Sequence, residues 1–277
     1  MRANKLSATP AIKVAPANID VGGRGGLGGA APTDEFGEVV DLDTLDVLGP
    51  AFAEALRGMY TGAAQWGSDG VAREIDSTTR ISGEEGLALF ALAVADGTSA
   101  TLEVGLAYGF SAVYLLAALA ANGGGGHVAI DPYQDSDWHG IGLTTADRLV
   151  AETPVLGAGA FQLIAAHSHT ALCDLERAGS SFGLTFIDGY HRFDDVLVDF
   201  TVAARMCPLG GVIVLHDMWL DSVMAVASFV RTNREDFAEI DTGCHNLFAV
   251  RRVAADERDW QHFVSFPTHP RSGPARP

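Results

Sequence analysis

The stretch Thr101-Leu-Glu-Val-Gly-Leu-Ala-Tyr-Gly-Phe-Ser-Ala-Val-Tyr-Leu-Leu116 limits the choice of folds more than any other part of the chain. An apolar run with one embedded acid reaches Gly105, and after Gly109 the apolar spacing turns helical through Val113, Leu116 and Leu119. This predicts a strand, a tight glycine turn and a helix. Glycine tolerates positive φ and lets backbone amides approach a ligand, and the first turn of a helix offers N–H groups without partners. A nucleotide-like ligand is therefore expected over Gly105 to Ser111. A second apolar segment, His127-Val-Ala-Ile-Asp131, follows the glycine run 123–126 and closes on a carboxylate. Its distance from the first motif is about the 20 residues expected of a nucleotide-binding βαβ unit.

The pattern Glu103-x-Gly105-x-x-x-Gly109, completed by Asp131, resembles the class I methyltransferases that use S-adenosylmethionine (SAM). The resemblance covers roughly Ile81 to Val250. It implies a Rossmann-like, seven-stranded, mostly parallel α/β sheet with helices on both faces and a C-terminal antiparallel hairpin. It also implies that Glu103 and Gly105 lie near the methionine part of SAM and that Asp131 takes the ribose hydroxyls. Tyr108, Gly109, Ser111 and Pro132 would stand beside them. In the family the turn after the next strand, Phe161 to Ala166, flanks the adenine, so His167 and Ser168 inherit that expectation by position.

Composition narrows the partners. The formal charge of -17, from 18 basic and 35 acidic residues, argues against nucleic acid, whose binders concentrate positive charge. A small-molecule substrate is expected. Cys173, Cys207 and Cys244 are scattered and odd in number, which fits reduced thiols and neither a zinc site nor a disulfide framework. No stretch reaches the ~20 apolar residues that cross a bilayer, and no secretion signal opens the chain, so a cytoplasmic protein away from membranes is expected.

Residues 1–38 are rich in Gly, Pro and Ala and are expected to form a flexible tail. Gly23-Arg-Gly-Gly-Leu-Gly28 matches the dinucleotide fingerprint in letters only, because no buried strand precedes it and no helix follows. Residues 39–80 form an N-terminal extension or lid, in which Leu48, Phe52, Leu56, Met59 and Tyr60 predict an amphipathic helix from near Pro50 to about Gly67. Its apolar stripe suits a pocket cover, ordinary packing or a homodimer surface. Residues 81–253 form the SAM-binding domain, opened by a capping box, Ser82-Gly-Glu-Glu85, before a helix over 83–95. Residues 254–277 form a proline-rich C-terminal tail, with Trp260 and Phe263 expected to anchor its start.

The loop after Asp131 is polar and aromatic, and in parallel sheets such loops carry ligands. Trp138 and His139 are therefore candidate substrate contacts, with Tyr133 and Gln134 as further ones. Two later strands also end in polar residues: Phe182 to Asp188 continues into Gly-Tyr-His191, and Val212 to Leu215 continues into His216-Asp217. This combination is similar to a branch of class I methyltransferases acting on hydroxyls of small molecules and sugars, in which carboxylates at these strand ends hold a divalent metal. The resemblance implies Asp188, His216 and Asp217 as ligands, with Asp188 also bordering SAM. Two carboxylates with waters suit Mg²⁺ or Mn²⁺, and an added imidazole shifts the preference toward Mn²⁺, Fe²⁺ or Zn²⁺. A hydroxyl is a poor nucleophile toward a methyl sulfonium, so its proton must leave as the methyl moves, and His191 is the candidate base.

The expected function is O-methyl transfer from SAM to a hydroxyl of a small metabolite or sugar, with divalent-metal assistance. A metal-dependent hydroxylase on the same fold and a non-catalytic SAM-binding protein are the alternatives. A serine hydrolase does not fit, because Gly-x-Ser-x-Gly is absent.

Overall fold

A computed structural model describes residues 12–13, 41–76 and 78–267. The central strands are β1 (Ala100–Val104), β2 (Gly126–Ile130), β3 (Phe161–Ile164), β4 (Leu184–Ile187) and β5 (Val212–Leu215), followed by the hairpin strands β6 (Phe237–Asp241) and β7 (Phe248–Arg252). They lie in the order β6-β7-β5-β4-β1-β2-β3, and a two-residue strand, Ile12–Lys13, extends the β6 edge to make eight. The five central strands run parallel, and β7 pairs antiparallel with both β5 and β6. This is the expected Rossmann-like sheet. Of the segment expected to be a flexible tail, only Ile12 and Lys13 are described, paired in parallel with Ile240 and Asp241. The Gly23–Gly28 match lies outside the described residues, as do residues 268–277.

Seven helices clothe the sheet among the described residues: α1 (Pro50–Tyr60), α2 (Gly83–Ala95), α3 (Phe110–Ala121), α4 (Ile141–Glu152), α5 (Ser168–Arg177), α6 (Phe193–Met206) and α7 (Asp221–Asn233). The first four share a core with the β1 and β4 face bearing Phe186, whereas α5, α6 and α7 cover the opposite face around Leu102, Val104 and Ile187. The capping box forms as read: Ser82 accepts from the Glu85 N–H, and the Glu85 carboxylate accepts from the Ser82 N–H.

The N-terminal extension differs from its reading. A 3₁₀ turn, Leu42–Leu48, precedes α1, which stops at Tyr60 and is followed by a short hairpin of Gln65–Trp66 with Ala72–Arg73. The Tyr60 hydroxyl is spent on the Ile81 carbonyl and the Tyr114 hydroxyl, so α1 is bound into the core against α3. At the other end Trp260 and Phe263 do not anchor the tail, being 90% and 67% exposed. Asn233 holds it instead, donating to the Val264 carbonyl and accepting from the Val264 N–H, while Phe266 meets Phe229 edge-on. A polar side chain and one aromatic contact on α7 thus fix a segment in which Trp260 and Phe263 face solvent.

Candidate active site

The carboxyl ends of β1, β2, β4 and β5 open into one cavity of about 870 Å³. Gly105 and Gly109 shape its floor. Gly105 has φ +91°, and a Cβ there would stand 2.1 Å from the Asp188 carbonyl oxygen. The glycine turn therefore lies directly against the β4 end, and the two motifs read separately in the sequence become one site.

Asp131, 4% exposed, holds that turn in shape. Its Oδ2 accepts from the Leu106 and Ala107 N–H groups and from Gln134 Nε2, and its Oδ1 accepts from the Tyr133 N–H. Ala107 adopts φ +45°, a strained conformation for alanine that these bonds hold in place. Gln134 is consequently a structural side chain, buried and committed to Ala107 and Asp131.

Of the other predicted residues, Tyr108, Ser111, Pro132, Trp138, His167, Ser168, His191, His216 and Asp217 all border the cavity together with Asp188. Two do not. Side chains alternate along a strand, so Glu103, two residues before Gly105, points under α3 and away from the strand end. It is fully buried, accepting from Ser111 Oγ at 2.5 Å and lying 2.9 Å from His127 Nε2, whose Nδ1 in turn meets Thr101 Oγ1. Glu103 thus ties β1 to β2 and α3 and does not border the cavity. His139 also stands outside the cavity; its carbonyl accepts from the Ser68 N–H, pinning the hairpin after α1.

At the β4 and β5 ends, Asp188, His191 and Asp217 each offer a ligand atom within 4.8 Å of the others. His191 Nε2 is 3.2 Å from Asp217 Oδ2, while Asp217 Oδ1 accepts from the Trp219 indole N–H and lies 3.2 Å from His216 Nδ1. Asp217 holds φ +62°. His216 sits beneath this group, 5% exposed, with Nδ1 3.0 Å from Asp188 Oδ1 and Nε2 3.4 Å from Glu85 Oε2 and 3.2 Å from the Asn246 amide. Burial alone would lower its pKa, but the neighbouring Asp188 and Glu85 carboxylates outweigh burial and hold the imidazole protonated well above its usual range. For Glu85, burial pushes the pKa up, yet His216 and the Ser82 N–H bring it down to about 2. His216, expected as a ligand, thus has both nitrogens engaged, and the ligand-forming set contains His191 in its place. Glu85, the N3 residue of the capping box, was legible only as a cap; nothing in the sequence pairs it with a histidine 131 positions away.

The cavity also has Thr78 to Ile81, Tyr190, Asp195 and Trp219 on its border. Next to Asp195 on α6, Asp199 is 1% exposed and neither oxygen completes a hydrogen bond. Burial pushes its carboxyl up to about 7, against a smaller lowering by the nearby Ser168 hydroxyl. An acid raised in this way makes the folded state hold its proton where the unfolded chain has lost it. The contribution of Asp199 to stability therefore falls as pH climbs from about 4 to about 7 and is level above that. Asp199→Asn, which keeps the neutral shape, is expected to raise Tm by about 10 °C at pH 8 and to leave it near wild type at pH 4. Calorimetry at the two pH values checks this, and an equal effect at both would refute it.

Residues 102–218 match a family model described as a methyltransferase domain. That segment is similar to a methyltransferase domain. No curated protein matches the chain in sequence. Among solved structures, the O-methyltransferase TomG from Streptomyces achromogenes, involved in tomaymycin synthesis and solved in complex with SAM, is 21% identical, with 74% of this chain and 90% of that chain covered and a TM-score of 0.53. An O-methyltransferase from Bacillus cereus in complex with SAH is 16% identical over 76% of this chain and 96% of that one, with a TM-score of 0.53. At these identities the likeness is one of fold. The matched segment places its glycine turn, Asp131 and the Asp188/Asp217 cluster around one cavity, and none of the described helices is long and apolar enough to cross a membrane.

Proposed function

We propose that the protein transfers a methyl group from SAM to a hydroxyl of a small metabolite or sugar. The observation that carries this reading is the contact of the Gly105 turn with the Asp188 backbone, which sets a nucleoside-sized cradle beside a cluster of proton-accepting side chains. The residues fit SAM: Asp131, although engaged with the turn, keeps lone-pair capacity on Oδ1 at the cavity edge, and His167 and Ser168 border the same space. Bound SAM supplies an electrophilic methyl on sulfur. The chain's part is to hold an acceptor in line with it and to take the acceptor's proton, so positioning contributes much of the rate.

Two readings of the proton step stand on different observations. In the first, Asp188, His191 and Asp217 hold a divalent cation, and the donor set of two carboxylates and an imidazole suits Mn²⁺, Fe²⁺ or Zn²⁺ as well as or better than Mg²⁺. Such an ion lowers the pKa of a bound hydroxyl. In the second, favoured by the 3.2 Å approach of His191 Nε2 to Asp217 Oδ2, the imidazole itself accepts the proton and Asp217 fixes its orientation and stabilises the imidazolium. Turnover of SAM with a panel of hydroxylated acceptors, before and after exhaustive chelation, separates them. The metal reading expects a loss of about 100-fold or more, restored by Mn²⁺; the dyad reading expects none. No methyl transfer to any hydroxylated acceptor, with transfer to amines instead, would refute the proposal.

A further inference from the structure

In the sheet β1 lies between β2 and β4, so the loops that follow β2 and β4 start about 10 Å apart, two strand spacings, with the Gly105 turn between them. Two side chains close that gap. Tyr133, two residues after Asp131, and Tyr190, two residues after Asp188, meet hydroxyl to hydroxyl at 2.8 Å, with ring centroids 6.1 Å apart and nearly perpendicular. Both border the cavity. Each is steadied from behind, Tyr133 by the edge of His167 at 6.0 Å and Tyr190 by the Arg192 guanidinium 5.0 Å over its ring. The link between them is a single neutral hydrogen bond at a half-exposed residue, so opening it costs about a factor of five.

We propose that Tyr133 and Tyr190 form a strap across the glycine turn that must open for the nucleoside to enter or leave. The inference rests on the SAM reading above. The strap re-forms behind the nucleoside as it forms in front of it, so it gates entry and exit alike and alters rates without altering affinity. Phenylalanine at either position keeps the ring and its packing and removes the bond.

Stopped-flow binding of S-adenosylhomocysteine to wild type, Tyr133→Phe, Tyr190→Phe and the double variant tests this. Each single variant is expected to raise association and dissociation rates together by about fivefold, with Kd within about twofold of wild type, as loss of one bond worth a factor of that size implies. The double variant should be no faster than either single one, because all three lack the same bond. Unchanged rates, multiplying effects, or a Kd weakened through dissociation alone would overturn the strap, the last by marking the phenols as direct ligand contacts. Failure of wild type to bind S-adenosylhomocysteine would overturn both the strap and the SAM reading, whereas tight binding with unchanged rates removes the strap only.

Discussion

Asp217→Asn is expected to lower methyl transfer by about 10²–10⁴-fold, the range for loss of a positioned proton acceptor or its orienting carboxylate. Both readings of the proton step pass through this residue. Asn is the informative replacement because Asp217 holds φ +62°, a conformation Asn tolerates nearly as well as Asp and Ala does not. The amide keeps the shape and an acceptor for the Trp219 indole N–H, but it loses the charge that faces His191 and His216. SAM affinity should stay within about twofold, since Asp131 and the glycine turn are untouched, so the loss falls on kcat. Steady-state kinetics with calorimetric SAM titration of the same variant checks the division. A parallel loss of SAM affinity would contradict it.

Glu103→Ala is expected to destabilise the fold by about 3–5 kcal/mol, because it leaves Ser111 Oγ and His127 Nε2 without their buried partner. For a domain of this size that corresponds to a fall in Tm of about 10 °C. Glu103→Gln, which retains an acceptor for Ser111, should fall less. If Glu103 instead served SAM directly, both variants would keep their Tm and lose ligand affinity, an outcome thermal unfolding with and without SAM distinguishes.

The legible parts of the sequence were those in which local pattern and chemistry coincide. The turn Gly105 to Gly109, Asp131 at a strand end and the Ser82/Glu85 capping box each carry their own physical signature, and each stands where the pattern put it. The cluster at Asp188, His191 and Asp217 was legible because strand ends in a parallel sheet converge on one edge. Glu103 was misplaced because its motif position suggested a ligand contact, while strand alternation, equally present in the sequence, sends it under α3. His139 looked like a ligand contact from the composition of its loop, but only the fold shows its carbonyl bound to Ser68. The exchange of His216 for His191 in the ligand-forming set was out of reach, because it depends on Glu85 and Asn246, brought in from a distant helix and the C-terminal hairpin. Likewise α7 carries no motif, and its role in anchoring the tail rests on Ser228, Phe229 and Asn233.

The most direct test of the central claim is calorimetric titration of SAM, S-adenosylhomocysteine and NAD into the wild-type protein freed of metal. Binding of both sulfur compounds with Kd in the micromolar range, about −8 kcal/mol, and no heat from NAD is the predicted result. Binding of NAD, or silence with SAM and S-adenosylhomocysteine alike, would contradict the reading of the glycine turn and the methyl-transfer function built on it.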